Sequence, residues 1–309
     1  MLTDEQRAHW MEKGYVRVPD CFGEKEADWL LDNVWERLGM NPNDQSTWTK
    51  ERINMPPQRR LHVKKLSPKA WAVILELIGG EDRINLERSE WHDAIIANLG
   101  AEEFRGDGWE PPQKLTNWHC DGDFYRHYLD SPEEVLNVFP VLSEEIRTHG
   151  GGTIIAPETV RMVAQQLAAH PEGIVTKEPG GTLLPGLECA KKIKQCTEFV
   201  ELTGKLGEVI FVHPFMIHSA SRNSLRIPRF ITAPKIWLKE PLKYNRPADE
   251  LSLVEKKTLK ELDMESYDFK ATGKRETWRT IRERDWDKVR MEEIERIKSS
   301  SQKGSRIPV

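Results

Sequence analysis

Several features that mark secreted and membrane proteins are scarce in this sequence. It has only four cysteines in 309 residues, and none of them forms a C-x-x-C pair, which excludes a disulfide scaffold. No stretch approaches the ~18 consecutive apolar residues that a membrane span needs. Residues 1–6 lack the basic and apolar segments of a secretory signal. We therefore expect a cytoplasmic protein with no membrane partner.

An excess of positive charge is also missing. Lys and Arg total 46 against 50 for Asp and Glu, which gives a formal net charge of −4. Nucleic-acid-binding proteins carry more base than acid, so we expect no nucleic-acid partner. Hydrophobic residues make up 38% and charged residues 31%, as in soluble globular proteins. Because the sequence contains neither repeats nor a recognisable linker, we expect one domain over residues 1–309.

Helical patterns dominate the first 80 residues. Thr3 and Gln6 have the spacing of a capping box, which predicts a helix to about Lys13 that Gly14 ends. The alternation after Gly14 predicts a strand over 15–19, and helical spacing predicts helices over 24–38 and 68–78. Residues 40–66 are polar and contain prolines, so we expect a surface loop there.

Short apolar runs separated by turns follow, from about residue 84 to residue 236. The runs span 136–142, 153–156, 209–212 and 229–236, with one helix predicted over 158–170. Such spacing is typical of a sandwich or barrel. Residues 240–298 are rich in charge, which indicates solvated helices on the outside of this core. For residues 299–309 we expect a disordered tail. The expected fold class is mainly β with flanking helices.

A His-x-Asp pair, His119 and Asp121, is the first candidate metal site. On a strand these two side chains point to the same face. His218, which follows the apolar run at 209–212, supplies a second imidazole. Two histidines and one carboxylate form the facial triad of non-haem Fe(II) oxygenases, which leaves coordination positions for a co-substrate and O₂. From the residues alone, His213 and Asp123 remain alternatives to His218 and Asp121.

Arg229 lies eleven residues after His218 (229 − 218 = 11), at the start of the next apolar run. An antiparallel return of the chain would bring its guanidinium beside the metal. The planar fork of Arg binds a carboxylate through two hydrogen bonds, which suits the distal carboxylate of 2-oxoglutarate. Arg226 is the competing candidate for this role.

These motifs together resemble a known family. The sequence combines His119-x-Asp121, His-Pro-x-x-x-His-Ser ending at Ser219, Asn223, Arg229 and the turn Gly150-Gly151-Gly152. Over about residues 1–240 it resembles the phytanoyl-CoA hydroxylase-like branch of the Fe(II)/2-oxoglutarate oxygenases. The resemblance implies a double-stranded β-helix, a jelly-roll relative of the cupins.

The resemblance also implies roles for individual residues. The iron ligands would be His119, Asp121 and His218, in preference to His213. Arg229 would bind 2-oxoglutarate, with Thr153 and Asn117 at positions that often help to hold it. The implied cofactor is Fe(II), and the co-substrates are 2-oxoglutarate and O₂. Candidate pocket residues, drawn from the sequence neighbourhood, are Trp118, Phe124, His62 and Lys64.

Departures from the family pattern limit what can be said of the substrate. Glu208 stands where the family commonly has Asp, and Ala220 replaces a small hydroxyl residue. The retained carboxylate of Asp121 argues against halogenation, because halogenases of this superfamily replace it to make room for a halide.

We expect a dioxygenase that hydroxylates a C–H bond of a small molecule, such as a secondary metabolite or an amino acid, with release of succinate and CO₂. The alternatives are a non-catalytic cupin-like binding protein on the same fold and a zinc hydrolase that uses the same ligands.

Overall fold

The computed structural model describes residues 1–304 except 107, 109, 179, 180, 183 and 185. Its helices are α1 (Asp4–Lys13), α2 (Glu24–Leu31), α3 (Val34–Leu38), α4 (Val63–Leu66), α5 (Pro68–Ile78), α6 (Thr159–Ala169), α7 (Cys189–Ile193), α8 (Leu253–Glu261) and α9 (Ile281–Gly304). Its strands are β1 (Tyr15–Val18), β2 (Arg52–Asn54), β3 (Arg60–His62), β4 (Glu90–His92), β5 (Ile96–Asn98), β6 (Leu136–Pro140), β7 (Glu145–Ile146), β8 (Thr153–Ile155), β9 (Val200–Leu202), β10 (Gly204–Lys205), β11 (Val209–Val212), β12 (His218–Ala220), β13 (Arg229–Ile231) and β14 (Lys235–Ile236).

The N-terminal elements follow the sequence prediction closely. The Thr3 side chain accepts from the Gln6 backbone, and the Gln6 side chain caps Thr3 in return. Gly14 ends α1 at φ 74°, a left-handed conformation that costs glycine little. The single helix predicted over 24–38 is wrong: Asn33 takes φ 56° and divides the segment into α2 and α3.

Two further segments differ from their predictions. Residues 40–66, predicted as a loop, contain the strands β2 and β3 and the short helix α4. The strands β2 and β3 pair with β5 and β4, which lie later in the chain. The run 229–236, predicted as continuous, divides into β13 and β14, with Pro234 in the gap. Proline has no N–H to donate to a strand partner, which favours a break there.

Antiparallel pairing joins the strands into small sheets. The strand orders are β1-β11-β6-β14, β12-β8-β9 and β13-β5-β2, with two-stranded pairs β10-β7 and β3-β4. A bridge between Val141 and Ile231 links the first and third sheets just beyond β6. A bridge between His119 and His218 adds one residue to the edge of the second sheet.

Helices cover more of the chain than the expected mainly-β class implied. The strands lie mostly between residues 90 and 236, and helices flank them on both sides in the sequence. The helix α8 packs against α1, α5 and α6. The architecture is therefore a mixture of helices and antiparallel strands.

The C-terminal helix α9 is anchored rather than simply solvated. It packs against α3, and its Glu293 is 2% exposed and bonds Arg37 at 2.9 Å. The helix runs through Gly304, so residues 299–304, predicted as part of a disordered tail, are helical; the rest of that tail, 305–309, lies outside the described residues. In the described part of the chain, the helices lack the combination of length and apolar character that a bilayer span requires.

Candidate metal centre

The structure brings His119, Asp121 and His218 together. One ligand atom from each lies within 4.8 Å of the other two. Asp121 Oδ1 is 3.7 Å from His119 Nε2, and Asp121 Oδ2 is 3.4 Å from His218 Nε2. The backbone N–H of His119 donates to the His218 carbonyl at 3.0 Å, and the reverse bond is 2.9 Å. This reciprocal bridge holds the two imidazoles side by side, with ring centroids 4.4 Å apart.

Both histidines have one ring nitrogen committed to a backbone carbonyl. His119 Nδ1 lies 2.8 Å from the Asn117 carbonyl, and His218 Nδ1 lies 3.0 Å from the Met216 carbonyl. Donation from Nδ1 fixes the tautomer and leaves the Nε2 lone pair free, which is the arrangement of metal-binding histidines. In both rings the free Nε2 is the atom that faces Asp121.

Electrostatics keep the ligand atoms in the states that a metal needs. Burial lowers the pKa of His218 to about 4, so its imidazole is neutral near pH 7. Burial alone would raise the pKa of the Asp121 carboxyl. The positive charge of Lys235, which also donates a hydrogen bond to this carboxylate, leads the effects that outweigh burial and hold this pKa well below its usual range. A neutral imidazole and an ionised carboxylate are the ligand forms required.

Lys235 is a site residue that the sequence analysis missed. Its ammonium contacts Asp121 Oδ2 and donates to Asn137 Oδ1 at 3.1 Å. Lys235 lies on β14 opposite Asn137 of β6. The sequence held no local signal for this contact, because the strand breaks between Arg229 and Lys235 and the pairing of β14 with β6 decides where Lys235 lies.

The competing ligand candidates lie elsewhere. His213 Nε2 is 3.2 Å from Thr258 Oγ1 of α8, and His213 Nδ1 accepts from the Phe215 backbone. Asp123 pairs with Lys177 at 3.4 Å. Neither belongs to the cluster that could hold a metal, which among the described residues consists of the three predicted ligands.

Arg229 is a buried cation at the start of β13. It is 2% exposed, and burial lowers its pKa to about 10, still well above neutrality. Its Nε donates to the Gly151 carbonyl at 2.7 Å and its Nη1 to the Ile96 carbonyl at 3.2 Å. No carboxylate of the described residues forms an ion pair with it. Arg226, the alternative, is instead paired with Glu102.

Thr153 and Asn117 occupy different positions relative to the triad. Thr153 on β8 lies opposite Ala220, and Ile155 lies opposite His218. Directly opposed residues share a face, so Thr153 lies on the same face as His218. Asn117 is exposed, and its carbonyl orients His119.

Of the four expected pocket residues, Phe124 and Trp118 pack on other aromatic rings, whereas His62 and Lys64 lie at the start of α4. Phe124 is half-buried and stacks on Trp237 at 5.8 Å, whereas the Trp118 indole donates to the Pro112 carbonyl at 2.9 Å and packs on Phe199. His62 caps α4 by accepting from the Lys64 backbone. The Lys64 side chain is exposed and lies 3.9 Å from Glu81. His62 and Lys64 thus bond partners other than the triad.

The donor set matches Fe(II). Two neutral imidazole nitrogens and one carboxylate oxygen form the set of non-haem Fe(II) oxygenases. His218 is 5% exposed, and its ring packs edge-to-face with Phe139, with the ring centroids 5.7 Å apart. Protein therefore covers one side of the cluster. His119 and Asp121 are only partly buried, which leaves an approach from another side.

Several solved structures match this chain over most of its length but share little sequence with it. The carbocyclase SnoK, a non-haem α-ketoglutarate-dependent enzyme from nogalamycin biosynthesis, is 16% identical, with 77% of this chain and 84% of that one covered and a TM-score of 0.42. HygX from Streptomyces hygroscopicus, solved with nickel and 2-oxoglutarate, is 15% identical over 81% and 94%, with a TM-score of 0.41. EctD from S. alaskensis, solved with Fe, is 16% identical over 88% of each chain, with a TM-score of 0.39. No curated protein matches the sequence significantly.

The sequence also matches one protein family, described as phytanoyl-CoA dioxygenase (PhyH), over residues 10–230. The match covers well over half of the chain and includes the candidate ligands. Together with the His-Asp-His cluster, it identifies an Fe(II)- and 2-oxoglutarate-dependent oxygenase, with iron as cofactor and 2-oxoglutarate and O₂ as co-substrates. The chain belongs to the phytanoyl-CoA dioxygenase (PhyH) family.

Proposed function

We propose that this protein hydroxylates a C–H bond of a small molecule and releases succinate and CO₂. The observation that carries the proposal is the His119–Asp121–His218 cluster, in which both imidazoles present Nε2 towards one carboxylate. We assign these three residues as the iron ligands. Three ligands on one face leave room for a chelating co-substrate and O₂, which a closed zinc site does not.

The sheets support a double-stranded β-helix around this site. Phe139 projects from β6 of the first sheet and meets His218, which begins β12 of the second sheet. The ligand cluster therefore lies where antiparallel strands of two sheets approach each other. Such an arrangement is typical of the jelly-roll architecture, in which two sheets enclose a small-molecule site.

Arg229 is suited to the distal carboxylate of 2-oxoglutarate. A buried guanidinium without an ion pair is costly, and an incoming carboxylate would compensate its charge. The fixed donors Nε and Nη1 hold the group in place through the carbonyls of Gly151 and Ile96. Thr153, on the face that carries His218, is placed to add a hydroxyl contact to the same co-substrate.

The protein's own contribution is binding, orientation and exclusion of water. Iron supplies the oxidative chemistry when it is bound. The carbonyls of Asn117 and Met216 orient the two imidazoles, and Phe139 covers one side of His218. The cytoplasmic location and the class of the small molecule, a secondary metabolite or an amino acid, stay predictions.

One spectroscopic experiment separates this function from its rivals. Anaerobic addition of Fe(II) and 2-oxoglutarate to the purified protein should produce a weak visible metal-to-ligand charge-transfer band. A binding protein that does not chelate the keto acid, or a zinc hydrolase, would give no band. A metabolite panel read by succinate release and by a gain of one oxygen atom in the product then tests hydroxylation; a product that instead loses two hydrogens would contradict it.

A further inference from the structure

We propose that Lys235 and Asn137 bind a carboxylate of the substrate, at a second anion site separate from that of Arg229. The substrate would thus be an organic acid with an apolar body. This inference rests on the proposed function, because it names the substrate class of the same site.

The lysine ammonium is placed at the metal centre itself. It contacts Asp121 and Asn137 Oδ1, and it lies 5.5 Å from the centre of the Phe139 ring. An ammonium has three donors, and these two oxygens account for two of them. A metal bound to Asp121 would compete for the carboxylate oxygen, which would free a further donor for an incoming anion.

Asn137 carries an unused donor beside that ammonium. The residue is 1% exposed, and its side-chain Nδ2 has no hydrogen-bond partner. A buried polar group left without a partner costs roughly 1–3 kcal/mol, so such a donor indicates a missing acceptor. A carboxylate provides two acceptor oxygens, one for Asn137 Nδ2 and one for Lys235 Nζ.

Sheet register places Lys235 and Arg229 on one face but at separate points. On β6, Asn137, Phe139 and the following Val141 share a face, and their opposed partners Lys235 and Ile231 share it too. Arg229 lies two residues before Ile231 on β13 and therefore points the same way. Arg229 lies on β13 and Lys235 on β14, and the two side chains bond different partners, Gly151 and Ile96 for Arg229 and Asp121 and Asn137 for Lys235. One anion site would serve the co-substrate and the other the substrate.

The surroundings of Lys235 are aromatic and positively charged. Trp237, which follows β14 directly, is half-buried and stacks on Phe124. The guanidinium of Arg88 lies over the Trp237 ring at 5.0 Å. A flat or aliphatic body with one acid group fits this combination.

The test compares acids with their uncharged counterparts. The full-length protein is loaded with Zn(II) and 2-oxoglutarate, which prevents turnover. Binding of phenylacetate, indole-3-acetate and octanoate, each beside its primary amide, is followed by ligand-observed NMR. At least one acid should bind about tenfold or more tightly than its amide. Lys235→Met should remove that preference, Lys235→Arg should retain it, and Lys194→Met, at an exposed lysine, should leave it unchanged.

The second part of the test measures 2-oxoglutarate binding through the charge-transfer band of the Fe(II) protein. At saturating Fe(II), Lys235→Met should lose much less affinity for 2-oxoglutarate than Arg229→Ala does, and its circular dichroism spectrum should show that the variant is folded. A loss of 2-oxoglutarate affinity of about tenfold or more would make Lys235 a co-substrate residue and overturn the proposal. Equal binding of acids and amides, or no binding of any of the three acids, would overturn it as well. Absence of the band in the wild-type protein would instead contradict the proposed function.

Discussion

The backbones of His119 and His218 exchange a reciprocal pair of hydrogen bonds, although the two residues are far apart in the chain. A strand pair of this kind fixes the relative position of two side chains more tightly than loop contacts would. Since both rings also bond a carbonyl two residues upstream, their Nε2 atoms are positioned before any metal arrives. The centre is therefore built by main-chain geometry, and single side-chain changes should affect chemistry more than folding.

Removal of the carboxylate ligand should abolish iron-dependent chemistry. Asp121→Ala leaves two imidazoles, which hold Fe(II) too weakly for turnover. Loss of an outer hydrogen-bond partner costs about 10- to 100-fold in metal affinity, and loss of a ligand should cost more. Succinate release and the charge-transfer band should both fall to background. Asp123→Ala is the matched control, and near-normal turnover in Asp121→Ala would contradict the ligand assignment.

Substitution of Arg229 should act on the co-substrate. Arg229→Ala removes a charged donor pair worth roughly 1.5–3 kcal/mol, so the 2-oxoglutarate concentration for half-maximal band intensity should rise about 10- to 100-fold. Titration of the Fe(II) protein under anaerobic conditions measures this. Arg226→Lys, which retains the charge paired with Glu102, should leave the curve unchanged. An unchanged curve in Arg229→Ala would remove Arg229 from the site.

Because His213 is buried in its neutral form, the metal-free protein should lose stability as the pH falls. Burial and the charge of Lys257 lower the pKa of His213 to about 3, whereas the unfolded chain titrates near 6.5. The unfolded state therefore binds protons first as the pH falls. The stabilising effect is complete above about pH 6.5 and is lost progressively below it, by about 2 kcal/mol at pH 5.

Urea unfolding at pH 7.5 and pH 5.0 measures this loss. His213→Gln should be less stable than wild type at pH 7.5 but should lose about 2 kcal/mol less between the two pH values. His170→Gln, at an exposed histidine, should keep the wild-type difference. Equal pH dependence in His213→Gln and wild type would show that His213 is not the group responsible.

The C-terminal helix should contribute to stability through one buried ion pair. Arg37 bonds both Glu293 and Asp93, and all three side chains are 2% exposed. Glu293→Ala leaves Arg37 with one carboxylate in place of two and should cost about 3 kcal/mol in the free energy of unfolding. Glu292→Ala, at an exposed neighbour, should cost less than about 0.5 kcal/mol. Denaturant unfolding compares them, and similar losses would argue against an anchoring role for α9.

Local sequence patterns predicted the structure correctly wherever a few adjacent residues decide the conformation. The capping box at Thr3, the stop at Gly14 and the strand β11 were predictable because the interactions that form them are short in sequence. The predicted ligands His119 and Asp121 were recognisable because they lie two residues apart. The strand expected to carry them is not present, since His119 forms a single bridge and Asp121 lies in a bend. The break at Asn33 was not, because an αL conformation leaves no unique signal in a helical pattern.

Long-range packing decided the rest. The choice between His213 and His218 depends on which ring faces Asp121 and which faces α8, and no local pattern specifies that. The contact of Lys235 with Asp121 depends on the register of β14 against β6. The sequence by itself determined the type of metal centre, because ligand chemistry resides in residue types and short spacings. Only the tertiary structure decided which charges surround that centre, because strand pairing brings together residues that are distant in the chain.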